Sequence, residues 1–119
     1  MRRSLWWVLA VCLCVSLPSA AQKVTGTIRG TVTDPSGAVV AGAEVTVSNP
    51  ANGDTRTVKT SSQGEYVFAD LPASTYDLSV KGTGFKEYLS HDVELFVSST
   101  TTRNIEMTLG GATEQIVVE

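Results

Sequence analysis

The chain has 119 residues, of which 42% are hydrophobic, and nine Lys and Arg face twelve Asp and Glu for a formal net charge of −3. A length near 120 residues favours a single domain. Because the charges are scattered singly, the sequence lacks the basic face that nucleic-acid binding requires, and we expect no nucleic-acid partner.

The first 21 residues are typical of a secretory signal peptide. Two arginines precede an uncharged run at residues 5–17, and small residues follow before Gln22. A charged start, a short apolar core and a small-residue exit are the three parts of such a signal. We predict cleavage after Ala21, with Ala20 as the alternative. An uncleaved anchor is disfavoured, because a spanning helix needs roughly 20 apolar residues.

Cleavage at this point changes the composition of what remains. Both Trp residues leave, and so do both cysteines, Cys12 and Cys14, whose preceding residues are too large for a lipoprotein signal. Seven basic residues then face twelve acidic ones, so the net charge becomes −5. The remaining chain has no disulfide and no thiolate ligand, and core packing alone must hold it together.

The rest of the chain predicts strands. It contains 15 Thr and 13 Val, and β-branched residues favour a pleated surface. Turn signals at residues 34–37, 49–53, 61–64, 71–75 and 81–84 separate segments that alternate with period two, as strands with one buried face do. The residues expected to face the core are Ile28, Gly30 and Val32; Ala43, Val45 and Val47; Tyr66, Phe68 and Leu71; Tyr76, Leu78 and Val80; Val93, Leu95 and Val97; and Ile105, Met107 and Leu109.

About seven short strands separated by frequent turns predict an all-β sandwich, with a barrel as the alternative. We place a linker stub at residues 22–26, the domain at residues 27–109, and a flexible tail at residues 110–119 after a Gly-Gly break.

Few residues of the chain are candidates for a catalytic, metal-binding or ligand-binding site. The single histidine, His91, has neither a nucleophile motif nor further Cys or His ligands near it, so we predict no catalytic, cofactor or metal site and interpret His91 as a surface residue. A weak calcium contact by Asp92 and Glu94 is the minor alternative to two solvated carboxylates. Phe85, Tyr88 and Phe96 are the aromatic residues whose positions are compatible with an outward face. Of these, Phe85 and Tyr88 are the candidates for a ligand platform, although capping the open end of the core is the simpler interpretation.

Five short segments together carry a recognisable pattern. Residues 30–37 read G-x-V-x-D-x-x-G, residues 42–47 read G-A-E-V-T-V, and residues 64–68, 71–72 and 76–80 continue it. The chain resembles the carboxypeptidase regulatory-like domain over most of its length after residue 26. The resemblance implies a transthyretin-like, seven-stranded Greek-key sandwich that serves as a non-catalytic accessory module. Ser61 and Ser74 depart from the pattern, both at turns.

The last residues are similar to the TonB box of TonB-dependent receptors, and the segment consists of Glu114, Gln115, Ile116, Val117 and Val118. This resemblance implies an N-terminal periplasmic extension of an Oar-like outer-membrane receptor, with the TonB periplasmic domain as partner. The alternatives are a last strand or a linker, in a stand-alone secreted module that binds carbohydrate or a cell-surface polymer, or in a passive spacer. We expect a monomer.

Overall fold

The computed structural model describes residues 24–110 and 115–118, so the predicted signal peptide lies outside the described residues. Within this part of the chain no helix is long and apolar enough to cross a membrane. The described residues form nine strands: β1 (Thr25–Thr33), β2 (Glu44–Ser48), β3 (Thr55–Lys59), β4 (Glu65–Pro72), β5 (Ser74–Lys81), β6 (Glu87–Leu95), β7 (Thr100–Thr102), β8 (Ile105–Glu106) and β9 (Gln115–Val118).

The strands form two sheets that enclose one core. The first sheet has the order β4-β1-β7, with β8 also paired to β1, and the second has the order β3-β2-β5-β6-β9. Most pairs are antiparallel, whereas β7 and β8 run parallel to β1 and β9 runs parallel to β6. The prediction of an all-β sandwich is confirmed, with nine strands in the described residues instead of seven.

The core consists of the inward faces of both sheets, and the predicted alternation is confirmed for most segments. Val97 and Leu109, which we expected to face inward, are exposed instead. Strand β6 ends at Leu95 and a turn follows, which breaks the alternation before Val97. Strand β8 ends at Glu106, so Leu109 lies beyond the paired region and makes only an isolated bridge to Phe85. The buried core residues are Ile28, Val32, Ala43, Val45, Val47, Tyr66, Phe68, Leu71, Tyr76, Leu78, Val80, Val93, Leu95, Ile105 and Met107.

A bulge in β4 explains how Phe68 and Leu71 both reach the core although they are three residues apart. Asp70 has a φ of 54°, and the pairing of β1 with β4 shifts register beside it. An extra residue in one strand of an antiparallel pair re-aims the side chains beyond it. The Arg56 guanidinium of β3 donates to the carbonyls of Ala69 (2.9 Å) and Asp70 (3.3 Å), which joins the edges of the two sheets at this bulge.

Gly30 allows the segment between β7 and β8 to approach β1 closely. A Cβ at this position would lie 1.7 Å from the Arg103 carbonyl oxygen. That oxygen accepts a hydrogen bond from the Tyr66 hydroxyl at 2.6 Å, and the Arg103 amide donates to the Arg29 carbonyl at 2.7 Å. The close approach interrupts what would otherwise be one strand, and it explains why the sequence has glycine at the first position of the G-x-V-x-D pattern.

The aspartate of the same pattern builds a turn. Asp34 Oδ1 accepts hydrogen bonds from the Ser36 amide (2.9 Å), the Ser36 hydroxyl (2.6 Å) and the Ala38 amide (3.0 Å). The hydrogen bond from the Ser36 hydroxyl lowers the pKa of Asp34; desolvation opposes this shift, and the amides of Ala38, Ser36 and Gly37 add to it. This carboxylate therefore has a structural role, as an Asx-type turn residue.

The domain boundaries differ from those expected at both ends. Residues 25 and 26 belong to β1, where they pair with the end of β4, so the predicted linker stub is shorter than residues 22–26. Residues 115–118 do not lie outside the domain as a flexible tail, because they pair with β6 and extend the second sheet. The alternative of a last strand describes this segment better.

Candidate functional site

The last four residues of the segment that is similar to the TonB box form the edge strand β9. Its register places Gln115 opposite Glu87 and Val117 opposite Leu89, and Gln115 Nε2 donates to Glu87 Oε2 at 3.3 Å. Val117 is 50% exposed. Among the described residues β9 pairs with β6 alone, so its outer edge carries unpaired backbone groups. Glu114 lies outside the described residues.

The predicted aromatic platform does not form a single surface. Phe85 and Tyr88 are both partly buried and pack against the core. Tyr88 lies opposite the buried Val80 in the pairing of β5 with β6, so it faces inward. Phe85 lines a groove of about 290 Å³ to which Tyr88 does not contribute. A ligand-binding role for these two residues stays a prediction, and their packing favours the core-capping interpretation.

Among the described residues, the exposed aromatic side chain is that of Phe96, which directly follows β6. It is 65% exposed and lines a groove of about 450 Å³ at the end of the β5–β6 pair. The sequence analysis did not select it as a ligand platform. The available signal was its position two residues after Glu94, on the solvent side of the β6 alternation.

His91 lies in a second bulge. The pairing of β5 with β6 shifts register so that Asp77 faces both His91 and Asp92, and Asp92 has a φ of 59°. His91 Nδ1 is 3.1 Å from Asp77 Oδ1, and both side chains are partly exposed. In residues 24–110 and 115–118 no group of three or more His, Cys, Asp or Glu side chains is placed to hold a metal ion. The arrangement fits a surface contact between two polar side chains on the outer face of the sheet.

The sequence from β1 to β8 identifies the family of this chain. Residues 27–108 match the carboxypeptidase regulatory-like domain. The chain belongs to this family. Members of the family are regulatory sandwich domains without a catalytic site. A comparison with curated proteins found no match.

Solved structures share the fold of this carboxypeptidase regulatory-like domain. The Bacillus anthracis TIE protein is 19% identical with a TM-score of 0.62, over 72% of this chain and 17% of its own. A putative carbohydrate binding protein from Bacteroides uniformis is 20% identical with a TM-score of 0.57, over 70% and 41%. Catechol 1,2-dioxygenase from Pseudomonas arvilla is 9% identical with a TM-score of 0.58, over 81% and 56%.

These likenesses establish the fold alone, since all three identities are low. The chain spans less than two thirds of each of the three proteins. The sandwich fold thus recurs as one part of larger proteins, and the fold alone does not assign a function to this chain.

Proposed function

We propose that this chain is an exported, non-catalytic accessory module, and that it forms the N-terminal periplasmic extension of a TonB-dependent outer-membrane receptor. The order of its parts supports the proposal: a signal-like segment, a regulatory-like sandwich, a Gly-Gly break and a short β-prone strand. The receptor's remaining domains would follow this module in the full protein.

The observation that carries the proposal is the geometry of β9. Its four residues are already extended, and β9 pairs only along its β6 side within the described part of the chain. A partner sheet can add to such an edge through main-chain hydrogen bonds, with alternate side chains providing specificity. Val117 and Val118 are about half exposed and offer apolar contact to that partner.

A second feature of β9 is the weakness of its attachment. The strand has four residues and pairs in parallel, an arrangement slightly less stable per residue than an antiparallel pair. The segment could therefore bind TonB either through its free edge while it stays on β6 or after it leaves β6. Both routes use the same residues, and amide exchange of β6 distinguishes them.

The test is a titration of the protein, expressed with its own N-terminal segment, against a TonB periplasmic domain, followed by NMR chemical shifts. We expect shifts concentrated at residues 114–118 and no binding after deletion of this segment. Val117→Asp should weaken binding about tenfold or more, the equivalent of about 1.4 kcal/mol. Val67→Asp is the matched control, because Val67 is 48% exposed on the other sheet. Unchanged binding after the deletion would refute the coupling role.

A second candidate function is the binding of a carbohydrate or cell-surface polymer, favoured by the exposed Phe96 and its groove. It does not require a receptor downstream. The gene region beyond codon 119 separates the two candidates, because the receptor function needs a plug and a membrane barrel encoded there, whereas a stand-alone module needs neither. If neither partner binds, a passive spacer is the remaining function.

A further inference from the structure

The groove beside Phe96 combines an exposed ring with polar side chains from two strands. It measures about 450 Å³, within the usual range for small-molecule sites of about 300–1,000 Å³. Thr75 of β5 lies directly opposite Glu94 of β6. Phe96 follows Glu94 by two residues, so the ring, the carboxylate and the Thr75 hydroxyl lie on one side of the sheet.

The turn that presents Phe96 is fixed by hydrogen bonds. The Phe96 carbonyl accepts from the Ser99 hydroxyl at 2.7 Å and from the Ser99 amide at 3.3 Å. The Ser98 amide donates to the Thr25 carbonyl at 2.8 Å. Gly26 lets this turn pack closely, since a Cβ there would lie 2.7 Å from the Phe96 carbonyl oxygen. An aromatic residue on a held turn loses little conformational freedom when a ligand binds.

The polar groups of the groove include both donors and acceptors. The exposed Thr75 hydroxyl, directly opposite Glu94, can both donate and accept. The Thr101 hydroxyl donates to the Glu94 carbonyl at 3.0 Å, which holds the backbone of Glu94 while its exposed carboxylate can accept. Hydroxyl groups of a ligand both donate and accept, so a polyol satisfies this set.

The charge of the groove further limits the class of ligand that it can bind. Glu94 carries the only charge among the described residues that line the groove, and none of them is basic. An anionic sugar, a phosphate or an acidic lipid surface would meet a carboxylate and no cation. The ligand should therefore be neutral, with hydroxyl groups at its edge and an apolar face for the ring.

We propose that this groove binds a neutral saccharide unit, with Phe96 as the stacking platform and Glu94 and Thr75 as hydrogen-bonding partners. The C–H groups on a pyranose face carry partial positive charge and meet the negative face of an aromatic ring. The inference moves the ligand platform from Phe85 and Tyr88, which pack against the core, to the residue that faces solvent. It does not depend on coupling to TonB.

The test uses the whole chain expressed with its own N-terminal segment and three sets of probes. The first set is neutral hexasaccharides of glucose, mannose, galactose and xylose, the second is an oligogalacturonate, and the third is vesicles of phosphatidylethanolamine and phosphatidylglycerol. Binding is followed by NMR shifts and by calorimetry for the parent chain and for Phe96→Ala, Glu94→Gln and Leu109→Ala. Leu109 is the control because its exposure of 66% matches that of Phe96.

We expect at least one neutral oligosaccharide to shift resonances of the groove, with affinity lower by about tenfold or more in Phe96→Ala. Glu94→Gln should also weaken binding, and Leu109→Ala should leave it unchanged. Binding that persists in Phe96→Ala, silence of every neutral oligosaccharide, or vesicle binding that depends on Phe96 would each overturn the proposal. Val117→Asp should not alter saccharide binding, so failure here is distinguishable from failure of TonB coupling.

Discussion

Tyr66 packs in the core and hydrogen-bonds the segment between β7 and β8, so its removal tests the account of the fold most directly. Its ring is almost fully buried and meets Phe68 edge to face, with centroids 5.9 Å apart and planes at 60°. Its hydroxyl donates to the Arg103 carbonyl at 2.6 Å, beside Gly30. One side chain therefore contributes both apolar burial and a long-range hydrogen bond.

Two substitutions distinguish the contribution of the buried ring from that of the hydrogen bond. Tyr66→Ala leaves a cavity between the sheets and should cost about 3–5 kcal/mol, as large aromatic truncations in cores do. Tyr66→Phe keeps the ring and removes one hydrogen bond, which costs about 0.5–1.5 kcal/mol. Because a domain of this size has a total stability of about 5–15 kcal/mol, the alanine variant should lose a large fraction of it.

Urea unfolding followed by circular dichroism measures these differences. Val67→Ala is the control, because Val67 is the next residue in β4 and its side chain is 48% exposed. A substitution on that face should change the free energy of unfolding by about 0.5 kcal/mol or less. A cost below about 1 kcal/mol for Tyr66→Ala, or an equal cost for Val67→Ala, would mean that the inward and outward faces of β4 are assigned the wrong way round.

Three further predictions use the same unfolding assay. Gly30→Ala should lower the free energy of unfolding by about 4 kcal/mol or more, because its Cβ would clash with the Arg103 backbone. Gly42→Ala is the control: there is open space around it, so it should cost only about 1–2 kcal/mol for its positive φ. Similar costs for the two variants would refute the close approach at Gly30. Burial raises the pKa of Tyr66, so the unfolded state loses the phenol proton at a lower pH than the folded state does. Stability should therefore fall as the pH rises above about 10, by up to about 1.4 kcal/mol per pH unit. The same slope in Tyr66→Phe would contradict this. Arg56→Ala should cost about 1 kcal/mol through its two carbonyl contacts, and Arg56→Lys should not restore it because an ammonium lacks the planar fork; full rescue by lysine would disprove the bidentate role.

The core could be predicted from the sequence wherever a strand is regular. In β2 and β5 the apolar residues alternate without interruption, so period two alone identifies the buried face. The burial of Val45, Val47, Leu78 and Val80 follows from that pattern. The family pattern adds two further positions, because its glycine and aspartate mark the close approach at Gly30 and the turn that follows β1.

The irregular positions could not be predicted, because no special residue marks them. Asp70, Asp92 and Ser98 all have positive φ, a conformation for which glycine is the usual signal. The first two make bulges and the third shapes the turn after Leu95. The exposure of Val97 depends on that turn. Tertiary contacts, such as the Ser98 amide with the Thr25 carbonyl, select these conformations.

A candidate site could be predicted from the sequence only to the extent that its residues are close together in the chain. The β-prone character of residues 115–118 is visible in four consecutive residues, but their docking on β6 depends on contacts about 28 positions away. The groove beside Phe96 needs the start of β5 and the end of β6 to meet. Its residues are ordinary in their local sequence, so only the fold brings them together.

Strand β6 carries both proposed functions, at separate positions along its length. The coupling strand β9 pairs with residues 87–90, whereas the saccharide groove begins at Glu94. At about 3.3 Å per residue, four residues separate the two regions by roughly 13 Å along the strand. The bulge at His91 and Asp92 lies in this interval. A saccharide beside Phe96 therefore leaves the outer edge of β9 accessible, and one domain can hold a glycan and a partner strand at the same time.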